Sequence, residues 1–188
     1  MLNKPFAPLV SRIETEAVVQ GNEILKIDHF LNHRIEPVFM QLMAVEIAER
    51  LRPFAPELIL TAEASGIAPG IMVALQLGIP MVYAKKYHPE VETPMLSRVL
   101  ESPTKGGQYR MVLSQRYLPA GGRVAIVDDF LSNGRTASAL IDMAREAQMD
   151  IVAASFLVEK CFKKGHALWH ACHYCPVPIC SVSTRSSA

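Results

Sequence analysis

The stretch Arg123-Val124-Ala125-Ile126-Val127-Asp128-Asp129-Phe130-Leu131-Ser132-Asn133-Gly134-Arg135-Thr136 decides how this chain is read. Arg123 to Val127 is a short apolar run of the kind a strand buried on both faces of a parallel sheet requires. Two acids close it, a loop of small residues follows, and a helix is predicted from about Thr136 to Ala147. The same order recurs outward. Leu58 to Thr61 is a buried strand that runs through Ala64-Ser65-Gly66 into a helix from about Ile67 to Leu77, which Gly78 and Pro80 end. Met81 to Ala84 and Ile151 to Val158 read as further strands. Ahead of them come a helix from about Leu9 to Val19, a strand-like Glu23 to Ile27, and a helix from about Glu36 to Leu51 with Val38, Leu42, Val45 and Ile47 as its apolar stripe. This alternation implies right-handed crossovers and an α/β fold with a doubly wound parallel sheet. Ligands in such folds sit beyond the carboxyl ends of the strands. Residues Glu90 to Tyr117, polar and interrupted by Pro94, Pro103 and Gly106-Gly107, fit no sheet-covering helix and are expected to form a mobile two-stranded flap.

Composition limits the remaining possibilities. The 188 residues suffice for one substantial core, so a single domain over 1–188 is expected. Lysine and arginine total 19 against 18 acids, which leaves no global field to attract nucleic acid or a membrane surface, and anion binding must be local. No run approaches the roughly 20 apolar residues of a membrane span, and Met1 to Val10 lacks the form of a leader. Four cysteines are too few for a disulfide framework, which points to a reducing, cytoplasmic setting. Cys172, Cys175 and Cys180 with His170 and His173 have a zinc-like look, but only one Cys-x-x-Cys is present, and the reading adopted is a divergent tail over 166–188.

Adjacent carboxylates at the end of an apolar strand repel one another and lose hydration, so they need donors or a cation. A ribose offers two hydroxyl donors. Ser132, Asn133, Gly134, Arg135 and Thr136 then open a helix, where unpaired amides and the helix dipole favour a phosphate. A strand terminus with an ordinary turn would leave the same pattern. Glu63-Ala64-Ser65-Gly66-Ile67-Ala68-Pro69 is a second strand-to-helix turn able to present amides to an anion, and also a plain helix start.

The acid-acid, two apolar residues, small-polar-glycine-x-threonine order resembles the phosphoribosyl pyrophosphate motif of type I phosphoribosyltransferases. That resemblance implies their doubly wound sheet, with a mobile flap and a small hood built from N- and C-terminal segments. It implies that Asp128 and Asp129 hold the ribose hydroxyls as the catalytic pair and that 132–136 receives the 5-phosphate. Arg135, where the xanthine branch of the family has glutamine, offers a further charge-assisted contact. Ala64, Ser65 and Gly66 would receive pyrophosphate, and Lys85 and Lys86 resemble the basic pair that approaches it. Magnesium is implied as cofactor, held mainly by the substrate's own oxygens.

Leu25-Lys26-Ile27-Asp28-His29-Phe30-Leu31-Asn32-His33 and Val158-Glu159-Lys160-Cys161-Phe162 resemble segments of that xanthine branch. By position the likeness implies that Leu25 and Asn32 contact a purine, that Lys160 donates to its exocyclic oxygen, and that Phe162 stacks on its ring. It runs from about Gly21 to Gly165, with Ser102-Pro103-Thr104-Lys105 resembling the family's closing loop. The implied activity is transfer of phosphoribosyl from phosphoribosyl pyrophosphate to xanthine by a homodimer. The same transfer to guanine or hypoxanthine is the alternative. A regulator that senses the sugar diphosphate is a further one, although too few residues precede the sheet for a DNA-binding unit.

Overall fold

A computed structural model describes residues 4–20, 24–86, 95–101, 108–160 and 181–182. In chain order the elements are α1 (Ala7–Glu16), β1 (Val18–Gln20), β2 (Ile24–Lys26), α2 (Pro37–Leu51), β3 (Leu58–Ala62), α3 (Ile67–Leu77), β4 (Met81–Ala84), β5 (Met95–Glu101), β6 (Gln108–Ser114), β7 (Arg123–Leu131), α4 (Arg135–Glu146), β8 (Asp150–Lys160) and β9 (Ser181–Val182). The main sheet runs β4-β3-β7-β8-β9 with every neighbouring pair parallel. This is the expected parallel α/β sheet.

Side chains alternate across the sheet and divide the core in two. Leu58, Leu60, Val124, Ile126, Ala154 and Phe156 pack with Leu140 and Met143 of α4. Ile59, Ala125, Val127, Ala153 and Leu157 pack with Met43 and Ile47 of α2 and Val73 of α3. Helices therefore cover both faces. Gly78 adopts φ 71° and its amide reaches the carbonyls of Ala74 and Leu75, which ends α3 where the sequence places its stop. β5 and β6 form an antiparallel pair outside the main sheet, joined to its edge where Lys85 and Val112 exchange backbone hydrogen bonds. The two-stranded flap is thus present; 87–94 and 102–107, with the closing-loop residues, lie outside the described residues.

Four expectations change. On α2, Val38, Leu42 and Val45 are exposed, and only Ile47 of the expected stripe is buried, beside Met40, Met43, Ala44, Ala48 and Leu51. The helix is apolar on two sides, and the longer row, which buries more surface, takes the core. The first helix stops at Glu16 rather than near Val19, and Val18–Gln20 form β1, which pairs antiparallel with β2 in a separate ladder. The tail contributes β9 beside β8, although the sequence reading gave 166–188 no strand; the cysteine cluster itself lies outside the described residues. Finally β7 does not stop at Val127. It continues to Leu131 because β8 extends alongside it, pairing Asp128 with Phe156, Phe130 with Val158 and Leu131 with Glu159. Asp128 and Asp129 consequently lie inside the strand, 6% and 7% exposed. No helix among the described residues is long and apolar enough to cross a membrane.

Burial, and then the neighbouring Asp129 carboxylate, push the Asp128 carboxyl well above the ordinary carboxylate range; the Asp129 amide and Lys86 pull it back. A raised value in the folded state means that the fold holds this proton more tightly than the unfolded chain does. The stability it contributes is complete below the unfolded value and is lost as pH rises toward the folded one. Asp128→Asn, similar in shape and uncharged, is therefore expected to raise the melting temperature of the ligand-free protein more at pH ~8 than at pH ~4. Thermal unfolding at both pH values checks this, and an equal shift at the two would refute it.

Candidate functional site

The acid pair sits where the carboxyl ends of β3 and β7 adjoin. The Asp129 amide donates to Asp128 Oδ1 at 3.0 Å, so the first carboxylate is oriented by the backbone of the second. Gly66, at the start of α3, closes over this point: a Cβ there would overlap both Thr61 Oγ1 and Asp128 Oδ1 and come within 2.9 Å of the Ala62 carbonyl oxygen. Only glycine allows that approach. Thr61 is fully buried, and its hydroxyl has no hydrogen-bond partner among the described residues. An orphan hydroxyl of this kind costs about 1–3 kcal/mol.

Two helices begin beside the acids. α4 follows β7 through Gly134, whose φ of 74° turns the chain at the helix start, and no side chain caps it. α3 follows β3 and starts at Gly66, also without a side-chain cap. Neither helix start is thus capped by its own N-cap side chain, the Ile67 amide donating to the Ala64 carbonyl, and both positive dipole ends face the carboxyl edge of the sheet. Ser132 and Thr136 are half-buried, Gly134 is buried, and Asn133 and Arg135 are exposed. Arg135 lines a cleft with Val99, Leu100 and Gln108 of the flap. In the α3 turn, Ser65 is half-buried and Ala64 exposed.

The adjacent lysines divide. Lys86 favours the ionised form of Asp128, and its backbone amide donates to Glu63 Oε1 at 2.5 Å. Its ammonium also lies 5.4 Å from the Tyr109 ring of the flap. The Lys85 ammonium lies instead 5.8 Å from the ring of Tyr83.

Of the expected base contacts, Leu25 packs on the cluster that holds Ile27, Phe30, Leu31 and Val158, as does Phe130, so the N-terminal segment and the ends of β7 and β8 meet. Asn32 is half-buried, and its Oδ1 finds no hydrogen-bond partner among the described residues. The Lys160 ammonium lies 4.8 Å over the Phe130 ring. Phe162 lies outside the described residues. The sequence reading missed Phe130 and Thr61. Phe130 adjoins the acids in the motif itself and was legible as a neighbour of the site; Thr61 carries no such signal, because a threonine in an apolar strand reads as core.

Among the described residues no cluster of three or more histidines, cysteines or acids is arranged to hold a metal. A cation here would depend on oxygens brought by a ligand, which is how magnesium is commonly bound beside phosphates.

The family model described as phosphoribosyl transferase domain matches residues 33–169. The chain is 58% identical over 167 residues to a xanthine phosphoribosyltransferase of Chloroflexus aurantiacus, covering 89% of this chain and 79% of that protein. It is 38% identical over 161 residues to a xanthine phosphoribosyltransferase of Acinetobacter baylyi, covering 85% and 84%. Among solved structures, an adenine phosphoribosyltransferase of Rhodothermus marinus is similar at a TM-score of 0.73 and 21% identity, covering 94% of this chain and 100% of that one. One of Trypanosoma brucei is similar at 0.75 and 16%, covering 93% and 79%; at these identities the likeness is one of fold. With a family model across most of its length and close relatives over nearly all of it, this chain belongs to the phosphoribosyl transferase domain family.

Proposed function

We propose that the chain is a xanthine phosphoribosyltransferase of purine salvage, working in the cytoplasm as a single catalytic domain, and that Asp128 and Asp129 are its catalytic pair. The observation that carries this reading is a buried acid pair flanked by two uncapped helix starts. Carboxylates without a protein cation cage suit ribose hydroxyls, and the amide-rich turns suit phosphates. Xanthine is supported by the names of both curated relatives and by a lysine at the end of β8 that favours an oxygen over an amino group.

In this mechanism the turn 132–136 holds the 5-phosphate, and Ala64, Ser65, Gly66, Lys85 and Lys86 hold the pyrophosphate. The carboxylates of Asp128 and Asp129 accept from the 2- and 3-hydroxyls. Leu25, Asn32, Lys160 and Phe162 receive the base, with Phe130 beneath Lys160. A purine ring nitrogen forms its bond to the anomeric carbon as the bond from that carbon to the pyrophosphate oxygen breaks. The electron pair leaves with pyrophosphate, and the ring proton given up by the base passes to an oxygen of that pyrophosphate. Positive charge develops on the ribose, and the buried acids place negative potential beside it without reorganising. The acids and Lys86 border the place where magnesium would be held, chiefly by the substrate's own oxygens, and the chemistry it would supply is neutralisation of charge on the leaving group.

A homodimer is the proposed assembly. Ile35, Val38, Leu42 and Val45 are exposed around a shallow cleft of about 800 Å³ on α2. Arg12, Arg34 and Glu36 at its rim carry both signs of charge. Apolar centre and mixed rim suit a second copy of the same surface across a two-fold axis.

Steady-state transfer to xanthine, guanine, hypoxanthine, adenine and uracil tests the activity. Xanthine is expected to show the highest kcat/KM, and guanine or hypoxanthine leading would move the base assignment. Asp129→Asn is expected to lose at least about a hundredfold in turnover, or ~2.7 kcal/mol of barrier; near-normal turnover would overturn the assigned role. For the assembly, light scattering on the wild type and on Leu42→Glu/Val45→Glu is expected to give dimer and monomer masses respectively. A wild-type monomer, or a variant that stays dimeric, would reject this surface.

A further inference from the structure

Thr61 stands apart from the rest of β3. Leu58, Ile59, Leu60 and Ala62 are apolar and buried, as a central strand of a parallel sheet requires. Thr61 puts a hydroxyl in the same position, fully buried and without a protein partner among the described residues. Both branches of its side chain meet α3 or its start. The methyl packs toward α3, where a Cβ on Gly70 would lie 3.3 Å from Thr61 Cγ2. The hydroxyl lies toward the start of the same helix, at the point beneath Gly66 that it shares with Asp128 Oδ1. A β-branched side chain held in this manner has little freedom to turn its oxygen elsewhere. Gly66 at the start of α3 and Gly70 within it therefore cover the two branches of Thr61 and leave its hydroxyl close to the Asp128 carboxylate.

We infer that Thr61 is a positioning residue for the transfer reaction: its buried hydroxyl donates to the Asp128 carboxylate when the sugar diphosphate is bound and fixes that carboxylate against the ribose. The inference rests on the proposed role of the acid pair. It gives the orphan hydroxyl its partner, and Asp128 a second donor besides the Asp129 amide. Thr61 touches no substrate; it acts through Asp128.

The role separates from a structural one by opposite signs. Thr61→Val keeps the shape and the contact with Gly70 but removes the hydroxyl. Because that hydroxyl has no partner among the described residues, this variant is expected to melt no lower than wild type. Its kcat is expected to fall about tenfold or more, with KM for phosphoribosyl pyrophosphate changed less than about twofold, since misorientation acts on the reacting geometry. Thr61→Ser keeps the hydroxyl and loses the methyl, so it is expected to melt lower yet retain kcat within about threefold of wild type. The experiment measures melting temperature, kcat and KM for wild type, both Thr61 variants and Asp128→Asn.

If Thr61→Val turns over like wild type while Asp128→Asn is impaired, the positioning role is wrong and the acid pair keeps its role. Activity that follows melting temperature across the Thr61 variants also overturns it, because the residue would then be merely structural. If wild type transfers phosphoribosyl to no base, or Asp128→Asn matches wild type, the reading of the acid pair fails and the inference fails with it.

Discussion

Two neighbouring carboxylates are held inside a parallel sheet that cannot solvate them, and most of the local architecture answers that constraint. β7 and β8 stay paired beyond Asp128 and Asp129, so neither side chain can reach open water by fraying of the strand. The backbone supplies one donor through the Asp129 amide, and Lys86 supplies a nearby positive charge. What remains is an acid pair whose full ionisation is unfavourable, which a ligand rich in hydroxyl donors would relieve.

Topology explains why two helix starts lie next to these acids. In a parallel sheet all strands end on the same side, and each right-handed crossover starts its helix there. α3 after β3 and α4 after β7 therefore direct their amino ends at one edge although they cover opposite faces. Two positive dipole ends and a pair of carboxylates become neighbours without any long-range design in the sequence. Gly134 turns the chain at one helix start, and Gly66 permits close approach at the other.

The same economy appears around α2. One face fills the core with Met40, Met43, Ala44, Ile47, Ala48 and Leu51, and the other leaves Val38, Leu42 and Val45 in solvent. Arg12 clamps the start of this helix, donating to both carboxylate oxygens of Glu36 at 2.6 and 2.9 Å while its guanidinium stands 4.5 and 4.6 Å from the rings of Phe30 and Phe39. This fixes the segment 27–36, which carries Asn32, against α1 and α2. The outward face of α2 and the expected base contacts are thus held by one cluster.

Continuous apolar runs, the acid pair and the glycine-bearing turns were sufficient in the sequence for the parallel sheet, the helices on both faces and the candidate ribose phosphate segment, because each is a local pattern with a local physical cause. Rotation of α2 was not legible: apolar residues on two sides leave two faces competing, and only the packing partners choose. Nor was the full length of β7 or the strand at Ser181–Val182, since both depend on pairing with β8 across long stretches of chain. Phe130 under Lys160 and Thr61 beneath Gly66 belong to the same class. Sequence determined which residues carry charge, hydroxyl or ring; tertiary structure alone decided which of them meet, because a contact between strands is set by register and by the helix that covers them.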